Sequence, residues 1–179
     1  MSKLFNKMRS RAESFGVLKT VIALLLLIST AATLVFIFSN SAKSQAESNA
    51  QSSSIKDMIE QVVSKDSELG SWILDNLRKI AHFTEYGLLG IEVSLFVFLI
   101  SKERKKTYKR LAMSLMFSLC VAFVDETVQI FSKRGPSVSD MWIDVGGFFA
   151  YALFTLCVYE AVSLIVKCLK KCKKRVKNG

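Results

Sequence analysis

Three stretches of the chain place ionisable side chains inside long apolar runs. His82, Glu85 and Tyr86 stand at i, i+3 and i+4, which puts them on one helix face, and Glu92 carries that face seven residues further. Asp125 and Glu126 are adjacent, and Gln129 is one helical turn beyond Asp125. Arg134 and Asp140 follow in a short polar stretch, and Asp144 lies four after Asp140, so those two carboxylates share a face if a helix begins that early. Two chemistries suit these groups. In one, His82, Asp125 and Glu126 act as general acid and base, with the adjacent carboxylates as the proton-handling pair, or ligate a divalent metal. In the other, no bond is broken. Arg134 clamps a phosphate or carboxylate through its planar fork, and Gln129, Glu85, Tyr86, Asp140 and Asp144 complete a polar pocket for a lipid headgroup or an amphiphile. The metal version is allowed but not required: there is no HExxH pair and no Cys/His cluster. A third reading takes the charges as a stabilising network, in which Arg78, Lys79 and Arg134 neutralise the acids.

The elements that must position these groups follow from composition. Of 179 residues, 51% are apolar and 22% charged, with a net charge of +10. Disorder is excluded for most of the chain. A single Pro and eight Gly argue against a loop-rich all-β domain. Four apolar runs reach the length of about 20 residues that a bilayer requires: residues 17–38, 80–100, 111–131 and 142–166. A central carboxylate costs a span about 3 kcal/mol, which the surrounding Leu, Phe and Val outweigh. The fold expected is an all-α membrane protein, a four-transmembrane-helix bundle with a short amphipathic outer helix. The first run, preceded by Lys3, Lys7, Arg9 and Arg11, reads as an uncleaved anchor rather than a signal peptide, because its apolar part is too long and Asn40 suits a cleavage site poorly.

Lysine and arginine orient the bundle. The N-terminal segment, the stretch 101–110 and the tail 167–179 hold 18 of the 25 basic residues. They lie on one side of a four-span chain, and the positive-inside rule makes that side cytoplasmic. Both termini are then inside the cytoplasmic membrane, with residues 39–79 and 132–141 outside. The basic excess is a topology signal, and no nucleic-acid partner is expected. On this topology the polar residues of the second, third and fourth spans all fall at the outer end. Only Glu160 lies near the inner end, within reach of Lys167 for solvation. An ion path continuing inward from Glu92 is disfavoured, since the third span offers only Ser114, Ser118 and Cys120.

Within the outer segment, residues 39–54 are rich in Ser, Ala, Gln and Asn and read as a flexible loop. Ser54-Ile-Lys-Asp57 then reads as a helix start, and Ile55, Met58, Ile59, Val62 and Val63 form one apolar stripe, which predicts an amphipathic helix over about 55–66, lying on the surface or over the bundle mouth. Trp72 and Trp142 fall at the outer interface. Cys120 and Cys157 lie in spans and Cys168 and Cys172 in the tail, which leaves no outer disulfide and reads as free thiols.

The same residues resemble a known family. Lys79-Ile-Ala-His82-Phe-Thr-Glu85-Tyr86-Gly-Leu-Leu-Gly is similar to the K-x-x-H-F-x-x-Y-x-x-L-G element of VanZ-like membrane proteins. Asp125-Glu126-Thr-Val-Gln129-Ile-Phe131 resembles their D-E-x-x-Q-x-F, and Arg134 through Asp140 and Asp144 to Gly147 resembles their R-x5-D-x3-(D/N)-x-x-G. The resemblance runs over 79–151 and takes in a core of 80–151. It departs in two places: the family often has Pro-Gly just before the arginine, where Ser132-Lys133 stands, and a second glycine four after Gly147, where Tyr151 stands. The second departure puts close helix packing at that point in question. The resemblance implies a cell-envelope context in Gram-positive bacteria, lowered susceptibility to lipoglycopeptides such as teicoplanin, and a lipid, a lipid-linked envelope precursor or an amphiphilic antibiotic as partner. An acyl-phosphate transferase label carried by some members finds no nucleotide or coenzyme A phosphate loop here. Membrane-embedded hydrolysis or transfer on a lipid-linked substrate, and a non-catalytic accessory subunit, remain the alternatives.

Overall fold

A computed structural model describes residues 2–61, 67–101 and 103–178. They form six helices: α1 (Ser2–Ser41), α2 (Gln45–Glu60), α3 (Glu68–Asp75), α4 (Leu77–Ile100), α5 (Arg104–Phe131) and α6 (Val138–Asn178). No strand occurs among the described residues. Four stretches are long and apolar enough to cross a membrane: Gly16–Ser41, Leu77–Ile100, Lys105–Phe131 and Val138–Cys172. The expected all-α four-span architecture is the one observed.

Each span buries one stripe and leaves the rest to lipid. On α1, Thr33, Ile37 and Ser41 are buried at four-residue intervals, while Leu25, Ile28 and Val35 are about two-thirds exposed apolar side chains on the other faces. In a bilayer such exposure is ordinary, because lipid tails are as apolar as leucine and association depends on close packing and polar contacts. The core is small: Ile37, Tyr86, Leu89, Val121, Ala122, Phe148 and Ala152.

The most extensive contact joins α4 and α6, the second and fourth spans. Glycines make it possible. A methyl at Gly147 would lie 2.9 Å from the Phe83 carbonyl carbon, and one at Gly90 would run into the backbone of Phe148. Tyr151, where the family pattern has a small residue, lies over Gly87 and stacks edge-on against Phe83 at 6.0 Å between centroids. The close approach questioned from sequence is therefore present, with the missing glycine supplied from the opposite helix.

The segment after α1 corrects the sequence reading. Residues 39–54 are not a flexible loop, and the amphipathic helix does not begin at Ser54. It begins at Gln45 and ends at Glu60, so the expected bounds of 55–66 were ten residues late at the start. Ser44 caps it. Its hydroxyl accepts from the Glu47 amide, and Glu47 in turn accepts from the Ser44 amide at 2.8 Å. This Ser-x-x-Glu capping box outcompetes the weaker Ser-x-x-Asp one at Ser54. Val62 and Val63 of the expected stripe lie outside the described residues. The short α3, capped by Ser67, was not anticipated.

Candidate functional site at the polar end of the bundle

Four helix ends and one turn build the site. The C-terminal end of α1 brings Asn40 and Ser41, the first three turns of α4 bring Arg78, His82, Glu85 and Tyr86, the last turns of α5 bring Asp125, Glu126 and Gln129, and the start of α6 brings Asp144. Because α6 begins at Val138, Asp140 and Asp144 are indeed one turn apart.

The turn between α5 and α6 fixes Arg134. Helix α5 is closed two residues past its end by Lys133 at φ 56°, a left-handed residue. The Arg134 amide reaches back to the Gln129 carbonyl at 3.0 Å, and the Lys133 amide to that of Ile130 at 3.1 Å. This is a Schellman closure, usually made on glycine, and it stands where the family pattern has Pro-Gly. It folds Arg134 back under the bundle mouth, 5% exposed, where Nη1 donates to the Asn40 carbonyl at 3.1 Å.

Consecutive residues on a helix point about 100° apart, and this separates the adjacent carboxylates. Glu126 turns toward the turn: its Oε2 accepts from the Ser137 amide at 2.7 Å and its Oε1 from Gln129 Nε2 at 3.0 Å. Asp125 turns inward. There it meets His82 and Asp144, and one ligating atom from each of the three lies within 4.8 Å of the others. His82 Nδ1 is 3.3 Å from Asp144 Oδ1. Asp125 and Asp144 are both wholly buried. Gln129, also buried, ties the groups together, donating to Asp125 at 3.3 Å and accepting from Arg78 Nη2 at 2.9 Å. Glu85 accepts from Asn40 Nδ2 at 3.1 Å.

Above His82 a cavity of about 80 Å³ opens. Arg78, Arg134, His82, Glu85 and Asn40 line it from the bundle, and Ser48, Gln51, Ser52 and Ile55 of α2 close it from above. The amphipathic helix thus covers the mouth. The Nε atoms of both arginines are buried without a hydrogen-bond partner. Burial, and then the neighbouring Arg78 charge, pull the Arg134 guanidinium below its ordinary pKa. Two guanidiniums facing one small space favour an anion between them. Asp140, half-buried, lies on a second cavity with Asp75, Lys79 and Ile143, which Arg78 and His82 also line.

Asn40 was missed as a site residue. In the sequence it looked like part of a serine-rich loop, whereas it bridges Arg134, Glu85 and Lys43 (Nζ to Oδ1, 2.9 Å). Glu92 does not join the cluster. It is buried deeper, where its Oε1 accepts from Thr33 Oγ1 at 3.1 Å and from Ser29 of α1. Near the other end, Tyr108 of α5 donates to Glu160 at 3.1 Å.

A family model described as VanZ/LLP1 matches residues 20–159. The chain belongs to the VanZ/LLP1 family. The match takes in the end of α1 as well as the later spans, so every VanZ/LLP1 residue placed in the cluster above, Asn40 and Ser41 included, lies within it. No curated protein and no solved structure matches the chain.

Proposed function

We propose that this VanZ/LLP1 membrane protein binds the anionic headgroup of an envelope lipid or lipid-linked envelope precursor at the outer face of the cytoplasmic membrane, and thereby lowers susceptibility to lipoglycopeptides such as teicoplanin. The observation that carries this reading is the cavity between Arg78 and Arg134, roofed by α2 and floored by His82. Planar guanidiniums with unpartnered, buried Nε groups are suited to phosphate or carboxylate oxygens. The orientation rests on the distribution of Lys and Arg, 18 of 25 of which lie in the three segments opposite the cluster. The termini are then cytoplasmic.

Two measurements test it. A cysteine at exposed Ser139 should react with an impermeant maleimide in intact cells; labelling only after lysis reverses the orientation. Arg78→Ala with Arg134→Ala should return lipoglycopeptide susceptibility to that of cells lacking the protein while the chain accumulates normally, and unchanged resistance rejects the headgroup reading. A second reading, hydrolysis or transfer on the same lipid-linked substrate, is favoured by the 3.3 Å approach of His82 to Asp144 beside Asp125, a base and acid within one site. Lipid and cell-wall precursor profiles of cells with and without the protein separate the two: a new or missing species marks turnover, and an unchanged profile marks binding.

A further inference from the structure

We infer that His82, Asp125 and Asp144 form a binding site for one divalent transition-metal ion, of the zinc or manganese class, beneath the two-arginine cavity. Three observations converge on it. The first is donor geometry. The ligating atoms lie within 4.8 Å of one another, and the imidazole and the Asp144 carboxylate are 3.3 Å apart. Ligands on one ion with bonds of about 2.1 Å sit about 3.0–3.4 Å apart when adjacent and about 4.2 Å apart when opposed. The widest separation must close by up to about 1.4 Å for adjacent ligands or about 0.6 Å for opposed ones, a change within reach of side-chain rotation.

The second is the unmet polar capacity of buried atoms. His82 Nδ1 and Asp144 Oδ1 pair with each other at 3.3 Å. Asp144 Oδ2 and Asp125 Oδ1 are left without a hydrogen-bond partner, although Asp125 and Asp144 are wholly inaccessible. The Tyr86 hydroxyl is likewise buried and unpartnered. Buried polar atoms are ordinarily satisfied, and a concentration of exceptions in one place calls for an occupant.

The third is charge. Among the described residues no lysine or arginine lies within 4.0 Å of Asp125 or Asp144; the one basic side chain at that distance is His82. Two wholly buried carboxylates against one imidazole leave the site short of positive charge, and a divalent ion supplies it while the histidine binds as the neutral ring. One imidazole with two carboxylates suits zinc or manganese better than magnesium, which seldom takes nitrogen ligands, and the absence of thiolates rules against soft metals. Three protein ligands leave a position open for water or for an oxygen of a bound anion. The ion site stands on the floor residues alone and does not depend on what the cavity above accepts.

The test uses the full-length chain in detergent, carrying an affinity tag without histidine or cysteine, grown with added zinc and manganese and purified without chelators. Metal analysis should find about one zinc or manganese per chain. Asp144→Asn and His82→Gln should each reduce this at least tenfold, and Glu160→Gln, near the other end of the bundle, should leave it unchanged. On the unaltered protein, chelation should lower the thermal midpoint by several degrees, with zinc or manganese restoring it and magnesium failing to do so. That arm decides the matter if the variants do not fold. A metal-free wild-type chain whose midpoint ignores chelator overturns the proposal, as does a folded Asp144→Asn that keeps its ion.

Discussion

Two adjacent glycines should respond in opposite directions to the same substitution. At Gly146 a methyl group meets nothing within 4 Å, so Gly146→Ala only replaces a poor helix former. It should stabilise by about 0.5–1 kcal/mol. At Gly147 the same methyl lies 2.9 Å from the Phe83 carbonyl carbon and 3.0 Å from its Cα, whereas ordinary contact begins at 3.4 Å. The obstruction is backbone, which cannot swing aside, so α4 and α6 must part by about half an ångström or more. Overpacking of this kind costs about 1–3 kcal/mol. After the same propensity gain, a net loss of up to about 2.5 kcal/mol remains for Gly147→Ala. At this chain length that is a fall of up to roughly 10 °C in the thermal midpoint. His82 precedes Phe83, and Asp144 is three before Gly147, so parting the helices also widens the 3.3 Å His82–Asp144 gap. Thermal unfolding in detergent, followed by Trp72 and Trp142 fluorescence, measures the first effect, and, under the function proposed above, lipoglycopeptide susceptibility measures the second. Equal shifts of the same sign in the two variants would refute the close α4–α6 crossing from which the site geometry is argued.

Lys133→Gly should raise the thermal midpoint, because a non-glycine residue in the left-handed region costs about 1–2 kcal/mol and glycine's own entropy returns about half of that; an unchanged midpoint removes the strain argument. Glu92→Ala should weaken the α1–α4 association by about 0.5–1.5 kcal/mol through loss of the Ser29 and Thr33 hydrogen bonds, and Glu92→Gln should be near neutral; equal midpoints for the two variants would show those bonds to be idle. The Ser44 hydroxyl, followed by its backbone amide, holds the exposed Glu47 carboxyl below the ordinary glutamate value of 4.5. A depressed folded-state pKa means that the cap is fully effective above the unfolded value and is lost as pH falls through the folded one. Amide-exchange protection in the first turn of α2, corrected for the intrinsic pH dependence of exchange, should therefore fall as pH drops through the lowered Glu47 value, and Glu47→Gln should flatten that dependence.

Much of the architecture was legible because lipid imposes simple rules. Four apolar runs of bilayer length could only be spans, and the i, i+3, i+4 spacing of His82, Glu85 and Tyr86 told that they share a face. What the sequence could not separate was Asp125 from Glu126. As neighbours they look like a pair, but their side chains diverge, and the inward one finds its partners on α4 and α6. Interhelical rotation is set by glycines such as Gly90 and Gly147, whose contacts across the bundle have no local signature. Asn40 was hidden for a similar reason: polar composition around it reads as loop, although α1 continues through Ser41. The α2 start has a local signal in Ser44-Gln-Ala-Glu47, but no apolar stripe begins there to mark the helix.

The preference of α4 for α6 over its sequence neighbour α5 has a consequence for how the molecule is made. Synthesis delivers His82 first, then Asp125, and Asp144 last, so the polar cluster stays incomplete until the final span has entered the bilayer. Until then two buried-to-be polar faces must be shielded by α1, by each other, or by the insertion machinery. A chain interrupted before α6 already holds Asn40 and Arg134 but lacks Asp144, and it leaves His82 and Asp125 without the helix that covers them. Completion of the site and completion of the fold therefore coincide, because both wait for α6 to pack on α4.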